Sequence, residues 1–185
     1  MAEQFDVLIC GSGSAGLCAA IWLARCGINF KVLERRGGPL VHGQADGVQC
    51  RTVEIFESLG ISEMLLKESY HVLELVFWSS DGKGNITRAD FAPDTEPGLS
   101  HQPHVILNQA RINELMIEEI IRLSGQSRTW IQYGCDVQNV LVDEALCNEN
   151  DSNNAYPVEV RAVENGIERG YKAKYVLVSG NFWIV

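Results

Sequence analysis

Three glycines near the N-terminus have the spacing that binds a diphosphate. Gly11, Gly13 and Gly16 form G-x-G-x-x-G directly after the apolar run "FDVLIC" and before an alanine-rich segment typical of a helix. In such a loop the first glycine makes a tight turn, the second lets a pyrophosphate approach the backbone, and the third lets the helix pack closely on the strand. The N–H groups at the start of the helix would bind the phosphates, and Ser14 is a candidate cap for that helix.

An acidic residue follows at the distance that a ribose requires. Glu34 closes the next apolar run, "FKVLE", about 20 residues beyond the glycines. A carboxylate there accepts hydrogen bonds from a free ribose and disfavours a 2′-phosphate. The pattern therefore predicts an ADP-containing dinucleotide and argues against NADP as the main ligand. By itself it does not choose between FAD and NAD.

These residues require a parallel sheet to position them. Strand, glycine loop, helix and strand within the first 34 residues predict a βαβ unit with a right-handed crossover. The segment "RTVEIFESLGISEMLLKE" predicts a helix, and "DGKGN" predicts the turn of an antiparallel strand pair. A further helix is predicted from Gln109 to Gly125, followed by alternating strands with a hairpin at "ENG". The polar stretch "CNENDSNN" predicts a loop tip, and the fold class is α/β with an antiparallel excursion and a β-meander.

Composition excludes several classes of protein. The net charge is −9 with a pI near 4.9, which argues against a nucleic-acid surface. No apolar run approaches the roughly 20 residues of a membrane span, and the N-terminus has no basic region typical of a secretory signal, so a cytoplasmic protein is expected. The six cysteines and four histidines lack zinc spacing, so we expect no metal site. His42, His101 and His104 are interpreted as solvated loop residues.

Three longer stretches resemble a known family. "GSGSAGLCAAIWLARCGINFKVLERR", "HGQADGVQCRTVEIFESLG" and "HVILNQARINELM" together resemble the class A flavoprotein aromatic hydroxylases, in particular their phenol 2-monooxygenase branch. The resemblance covers residues 5 to about 178, and "GQADG" is its most specific part. It implies a Rossmann-like FAD-binding fold of the glutathione-reductase type. It also implies FAD as cofactor, NAD(P)H and O₂ as co-substrates, a small phenolic substrate that is hydroxylated, and a homodimer.

The resemblance assigns cofactor roles to particular residues. Residues 11–16 would hold the FAD pyrophosphate, Glu34 the adenosine ribose, and Arg35 would lie beside the adenosine end, although an exposed charge after a strand explains Arg35 equally well. Residues 43–45 would line the flavin side of the active-site loop, and Gln109 would contact FAD. The full set is Gly11, Gly13, Ser14, Ala15, Gly16, Glu34, Arg35, Gly43, Gln44, Ala45 and Gln109.

Asp46 is the candidate catalytic residue. It matches the family's acidic residue that meets the substrate hydroxyl. A phenol reacts faster as a phenolate, so a carboxylate beside the hydroxyl can take its proton. Glycines on both sides of "QAD" permit close approach of the backbone to a planar ring. The alternative for Asp46 is an ordinary turn residue before a glycine.

The last residues predict an incomplete domain. In the family, the strand that matches "AKYVLV" leads into a G-C-D-G-A motif and later a G-D motif, whereas this chain continues as "SGNFWIV". The expectation is that residues 1–185 are the N-terminal portion of an FAD-binding domain, with about 71–100 beginning a substrate-domain excursion. The remaining FAD, substrate and C-terminal domains would be absent. The uncovered apolar end would aggregate, and the chain alone would not hydroxylate.

Two other functions stay open at this point. A non-catalytic nucleotide-binding or interaction fragment would pair with another chain through an exposed sheet edge. An NAD-dependent dehydrogenase is disfavoured by the "GQADG" loop and by the lack of a catalytic His or Tyr-Lys arrangement.

Overall fold

The chain forms two compact units. The computed structural model describes residues 2–125, 128–147 and 155–180 of the 185. Unit 1 comprises Met1–Val41 and Met116–Val185, and unit 2 comprises His42–Leu115. Most of the predicted loop tip, at residues 148–154, and the apolar end, at residues 181–185, lie outside the described residues.

Helices and strands alternate through the first third, and strands dominate the last. In chain order the elements are β1 (Glu3–Cys10), α1 (Ser14–Arg25), β2 (Phe30–Glu34), β3 (Gly47–Val48), α2 (Cys50–Ser58), α3 (Ser62–Glu68), β4 (Tyr70–Val72), β5 (Glu74–Ser80), β6 (Ile86–Pro93), β7 (His104–Ile106), α4 (Gln109–Ser124), a 3-10 turn (Arg128–Trp130), β8 (Ile131–Tyr133), β9 (Cys135–Val142), α5 (Glu144–Cys147), β10 (Val158–Glu164) and β11 (Ile167–Val178). Helix α4 begins in unit 2 and ends in unit 1.

Unit 1 is built on a mixed six-stranded sheet with the order β8-β2-β1-β11-β10-β9. The first four strands in that order are parallel, and β11, β10 and β9 form an antiparallel meander. The β10–β11 connection is a tight turn in which Asn165 and Gly166 have φ values of 51° and 79°, as the "ENG" signal predicts. The predicted α/β fold with a βαβ start and a meander is confirmed.

The core of unit 1 lies on both faces of this sheet. On one face Ile9 and Val32 are fully buried, as are Leu17 and Ile21 of α1. A second buried cluster joins the parallel strands to the meander, through Leu8, Cys10, Leu33, Cys135, Val137, Val158, Val160, Ala162, Tyr171 and Ala173. Each large apolar side chain buried in this way contributes roughly 1.5–3 kcal/mol. The carboxyl end of β1, where the glycine loop begins, is therefore anchored on two sides.

The last described strand is interior to the sheet but partly uncovered. β11 lies between β1 and β10. It is parallel to β1 and antiparallel to β10. Tyr175 and Leu177 are 70% and 41% exposed, and by register they share a sheet face with Val7 and Ile9.

Unit 2 contains a three-stranded sheet, a separate hairpin and two helices. The sheet has the order β3-β7-β4, and β5 pairs with β6 across the predicted "DGKGN" turn. The single helix predicted over residues 51–68 is wrong, because the chain forms α2 and α3 instead. Gly60 has φ +71°, its N–H bonds to Glu57 O at 2.9 Å, and the Ile61 N–H bonds to Phe56 O at 3.0 Å. This Schellman motif ends α2.

Helix α4 has the bounds that its sequence predicts. It begins at Gln109 and ends before Gly125, whose φ is +59° and whose N–H bonds to Ile121 O at 2.9 Å. Its buried side is formed by residues at helical spacing: Ile112, Leu115, Met116, Glu119 and Ile120. No helix in the described ranges is long and apolar enough to cross a membrane.

Candidate functional site

Two of the three glycines in the nucleotide loop are required by the fold itself. Gly11 leaves β1 with φ +107°, a conformation that other residues rarely adopt. A Cβ on Gly16 would collide with the Gly11 carbonyl oxygen and would lie 2.6 Å from Ser179 Oγ. That hydroxyl donates to the Cys10 and Gly11 carbonyls at 3.1 and 3.0 Å. The loop is thus held against both α1 and the residue that follows β11.

Gly13 is different, because nothing in the described part of the chain requires a glycine there. Its φ of −69° and ψ of 174° suit any residue. Among the residues that the structure describes, a Cβ would meet only the Ser179 carbonyl oxygen, at 4.0 Å. The space beside Gly13 is therefore open, as close approach of a ligand to the backbone demands.

The start of α1 can receive negative charge. Gly13 is the N-cap residue, there is no side-chain cap, and the first turn contains no acidic residue. The partial positive charge at this end is therefore not neutralised by the helix's own side chains. The prediction that Ser14 caps the helix is wrong, since Ser14 is already the first helical residue. Ala15 follows it in the first turn. The binding of a diphosphate by residues 11–16 stays a prediction.

Glu34 is buried and fully engaged by groups of the protein. Glu34 is the last residue of β2 and is only 6% exposed. Oε2 accepts from the Ser12 N–H at 2.7 Å and from the Ser12 hydroxyl at 2.8 Å. Burial by itself would raise the pKa of the Glu34 carboxyl, but the hydrogen bonds from Arg36 and Ser12 outweigh it and lower the pKa to about 2.

Arg36 supplies the rest of these contacts, and the sequence interpretation missed it. Its backbone N–H and Nε donate to Glu34 Oε1 at 2.8 and 3.0 Å, and Nη2 donates to Oε2 at 3.0 Å. Arg35, which the resemblance places beside the adenosine end, is exposed. Residues two apart along an extended chain point to the same side, so the alternation Glu34, Arg36 was the available signal.

The "GQADG" loop of unit 2 is held to the start of α4 by main-chain bonds. Gln109 Oε1 accepts from the Gln44 N–H at 3.0 Å, and the Gln109 N–H bonds to the Ala45 carbonyl at 3.1 Å. The Leu107 N–H bonds to the Asp46 carbonyl at 2.8 Å. The loop then continues as β3, whose Gly47 pairs with Ile106 of β7.

A steric contact adds to this attachment. A Cβ on Gly43 would lie 2.8 Å from Gln109 N and 2.9 Å from Gln109 Cβ, so only glycine allows the loop to approach the helix so closely. Asn108 caps α4, accepting from the Ala110 N–H at 2.9 Å. The structure therefore brings Gly43, Gln44 and Ala45 together with Gln109, which lies 65 positions after Gln44. The sequence interpretation had connected these residues only through the family resemblance.

The loop is attached largely through its backbone, and its side chains are accessible to solvent. Gln44, Ala45 and Asp46 are exposed. Within the described ranges the Asp46 carboxylate has no hydrogen-bond donor, whereas its carbonyl is fixed by Leu107. Asp46 thus combines a fixed backbone with an acceptor left for a ligand. The catalytic role of Asp46 and the FAD roles of the other residues stay predictions.

Of the histidines interpreted as solvated loop residues, His104 differs from that interpretation and His101 confirms it. His104 is not a solvated loop residue, because it belongs to β7 and its Nδ1 lies 3.0 Å from Asp94 Oδ1, with both side chains largely buried. His101 is exposed, but its Nε2 lies 2.7 Å from Glu57 Oε2. The first contact links the start of the loop between β6 and β7 to the strand that follows the loop. The second contact links this loop to α2. Sequence spacing gives no signal for such pairs.

Comparison with known proteins identifies the family. The model of the FAD binding domain family matches residues 4–176, so the chain belongs to that family, whose cofactor is FAD. The FAD-dependent monooxygenase terD of Aspergillus terreus is 51% identical over 97% of this chain and 29% of its own length. The 3-hydroxybenzoate 4-monooxygenase of Comamonas testosteroni is 37% identical over 95% of this chain and 27% of its own length.

A solved structure has the same fold. The flavin-dependent monooxygenase PieE, in complex with FAD and substrate, superposes with a TM-score of 0.73 over 94% of this chain and 29% of that one, at 22% identity. Further relatives include a phenol 2-monooxygenase. The resemblance to FAD-dependent aromatic hydroxylases is therefore confirmed. The chain spans less than a third of the length of these relatives.

Proposed function

We propose that this chain is the FAD-binding portion of a flavoprotein monooxygenase that hydroxylates phenolic aromatics with NAD(P)H and O₂. The observation that carries the proposal is the open space at Gly13, between two glycines that the fold itself requires. The names of the relatives support the reaction class. Hydroxylation is proposed for the whole protein and FAD binding for this chain, because the chain spans 29% or less of those two relatives.

The residues of unit 1 would bind the ADP part of the cofactor. Residues 11–16 and the start of α1 would hold the diphosphate through backbone N–H groups, and Glu34 would accept from the ribose. The pairing of Glu34 with Arg36 keeps a compact polar site at the end of β2. Bound FAD would supply the redox chemistry that activates O₂.

The residues of unit 2 would act on the substrate side. Gly43, Gln44, Ala45 and Gln109 are proposed to face the flavin. Asp46 would accept the proton of a phenolic hydroxyl at its carboxylate, since that group is exposed on a fixed backbone. About residues 71–100, which include the β5–β6 hairpin, are proposed to open a substrate domain within an otherwise FAD-binding chain.

The remaining parts of the proposal concern the setting of the whole protein. A cytoplasmic homodimer without nucleic-acid partners would fit the family resemblance and the net charge of −9. A non-catalytic nucleotide-binding fragment is the second candidate, favoured by the exposed apolar residues Tyr175 and Leu177 on β11, which a partner chain could cover.

An FAD titration tests the proposal. The 185-residue chain is titrated with FAD and followed by flavin fluorescence, beside Gly13→Val and the control Gly37→Val, whose site is open and lies outside the loop. We expect saturable binding to the wild type and the control, and at least a tenfold loss in Gly13→Val, since its side chain fills the ligand space. No binding by a folded wild type, or tighter binding of NAD than of FAD, would contradict it. Hydroxylation by the chain alone would exclude the fragment reading.

A further inference from the structure

Arg36 joins the two parts of the predicted adenosine site. Its guanidinium contacts both oxygens of Glu34 and also donates from Nη2 to Ser12 Oγ at 3.2 Å. Ser12 lies between Gly11 and Gly13 in the nucleotide loop. The Arg36 carbonyl in turn accepts from the Gly134 N–H at 2.8 Å, which fixes the backbone at this position.

The Glu34 carboxylate has no acceptor capacity left for a ribose. It receives five donors, namely the N–H and hydroxyl of Ser12 and the N–H, Nε and Nη2 of Arg36. A carboxylate offers about four lone-pair sites. A ribose hydroxyl can therefore bond to Glu34 only if one of these donors moves.

The side chain of Arg36 is the donor group that can leave. The two backbone N–H groups are fixed by the fold, whereas the Arg36 side chain is 38% exposed and the Glu34 side chain only 8%. Nη1 of Arg36 has no hydrogen-bond partner in the part of the chain that the structure describes. A displaced guanidinium would stay beside the ribose as a cation with free donors.

The charges of the pair have opposite effects on a phosphorylated ribose. The Glu34 carboxylate repels a 2′-phosphate, and a free arginine binds one strongly, often through two hydrogen bonds. In the structure each charge is neutralised by the other at 3.0 Å. Selection between the two forms of adenosine then depends on the balance of the pair, not on Glu34 alone.

We propose that Arg36 is a specificity-determining residue that, together with Glu34, sets how strongly the site prefers an adenosine diphosphate with a free 2′-hydroxyl over one with a 2′-phosphate. Arg36 weakens the repulsion that Glu34 exerts on a 2′-phosphate, and Glu34 prevents Arg36 from binding that phosphate. This inference rests on the proposed dinucleotide site, and it adds a residue that neither the resemblance nor the glycine fingerprint assigned.

The test compares two ligands that differ only in the 2′-phosphate. ADP-ribose and 2′-phospho-ADP-ribose are titrated by calorimetry into the 185-residue wild type, Arg36→Gln, Glu34→Gln and the double variant. We expect the wild type to prefer ADP-ribose. Arg36→Gln widens that preference about tenfold and Glu34→Gln narrows it about tenfold, as the gain or loss of one charged hydrogen bond implies. The double variant loses the Glu34→Gln effect, and Arg36→Lys stays near the wild type.

Each outcome decides a separate point. Arg36→Gln with an unchanged ratio overturns the inference, as does a Glu34→Gln effect that persists in the double variant. Since Glu34 is buried, a melting curve checks that Glu34→Gln folds. If Glu34→Gln does not fold, the ligand preference of Arg36→Gln, which changes a more exposed side chain, tests the inference. If the wild type binds ADP-ribose and all variants keep its ratio of affinities for the two ligands, the inference about Arg36 fails and the proposed function stands. A wild type that binds neither ADP-ribose nor FAD overturns both.

Discussion

The nucleotide loop of unit 1 and the "GQADG" loop of unit 2 are both held by hydrogen bonds, but different kinds of group make those bonds. Both are glycine-rich, and in each a helix begins within or directly beside the loop. Beside the nucleotide loop, the buried Glu34 is neutralised by Arg36 and accepts two hydrogen bonds from Ser12, a residue of that loop. In the other loop the bonds that hold it come from main-chain groups and Gln109, and Asp46 is left exposed.

This difference separates stability from chemistry. A charge that the protein has satisfied internally contributes to folding, and its replacement is expected to change the free energy of unfolding. A charged side chain without bonds of its own, on a residue that is held only through its backbone, contributes little to folding and is available to a ligand. Variants in the first loop should therefore unfold the protein more easily than matched variants in the second.

The largest expected effect is the acid sensitivity of Glu34. Its pKa is lowered from 4.5 to about 2, so its ionised form stabilises the fold above pH 4.5, and this stability is lost as the pH falls toward 2. The loss is on the order of 3 kcal/mol. Urea unfolding at pH 6 and pH 3 should show a steeper decline for the wild type than for Glu34→Gln. Glu63→Gln, which removes an exposed carboxylate paired with Lys67, is the control. An equal decline in all three proteins would show that the ionised Glu34 does not stabilise the fold.

The second effect is steric and lies within one loop. Gly16→Ala places a Cβ against the Gly11 carbonyl and Ser179 Oγ, which we expect to destabilise unit 1 by about 1–3 kcal/mol. A serine side chain has room at position 13, and serine is favoured at a helix N-cap. The free energy of unfolding of Gly13→Ser should therefore stay within about 0.5 kcal/mol of the wild-type value. Equal midpoints for the two variants would show that the loop is not held as described.

The smallest effect concerns the loop of unit 2. Gly43→Ala brings a Cβ within 2.8 Å of Gln109 N and should cost about 1 kcal/mol while loosening the bond from the Gln44 N–H to Gln109. Hydrogen exchange at the Gln44 amide is the measurement, and faster exchange is expected. Gly47→Ala meets only His104 Nε2 at 3.4 Å and serves as the control. Unchanged exchange in Gly43→Ala would show that the close approach of Gly43 to Gln109 does not hold the loop.

Much of unit 1 follows from local sequence signals. The apolar runs before and after the glycines, the "ENG" turn and the Gly125 helix end are each set by a few neighbouring residues, and all are present in the structure. The glycine loop was predictable for the same reason. Gly13 was predicted to give a ligand room, and the open space beside it fits that prediction.

The errors lie where one residue decides between two local outcomes. Gly60 ends α2 through its positive φ, but the apolar periodicity on both sides of it suggested one continuous helix. Ser14 was expected to cap α1, but the extended backbone of Gly13 takes the cap position. Both signals are in the sequence, and both required a choice that periodicity does not make.

Other contacts have no local signal. The pair of His104 with Asp94 depends on the path of the loop between them, and the attachment of Gln109 to Gln44 joins residues 65 positions apart. Arg36 is the intermediate case, since strand alternation favours it over Arg35 only once the burial of Glu34 is known.

The order of strands in unit 1 has a consequence for how the chain acquires its structure. β1 is made before the other strands of its sheet, yet one of its two neighbours is β11, and Ser179 bonds to Gly11 across 168 residues of sequence. All of unit 2 is made before that partner exists. During synthesis β1 has only β2 beside it, and a long chain loop must close before the sheet is complete. We therefore expect slow, late folding, in which the nascent chain depends on chaperones to protect an unpaired strand edge.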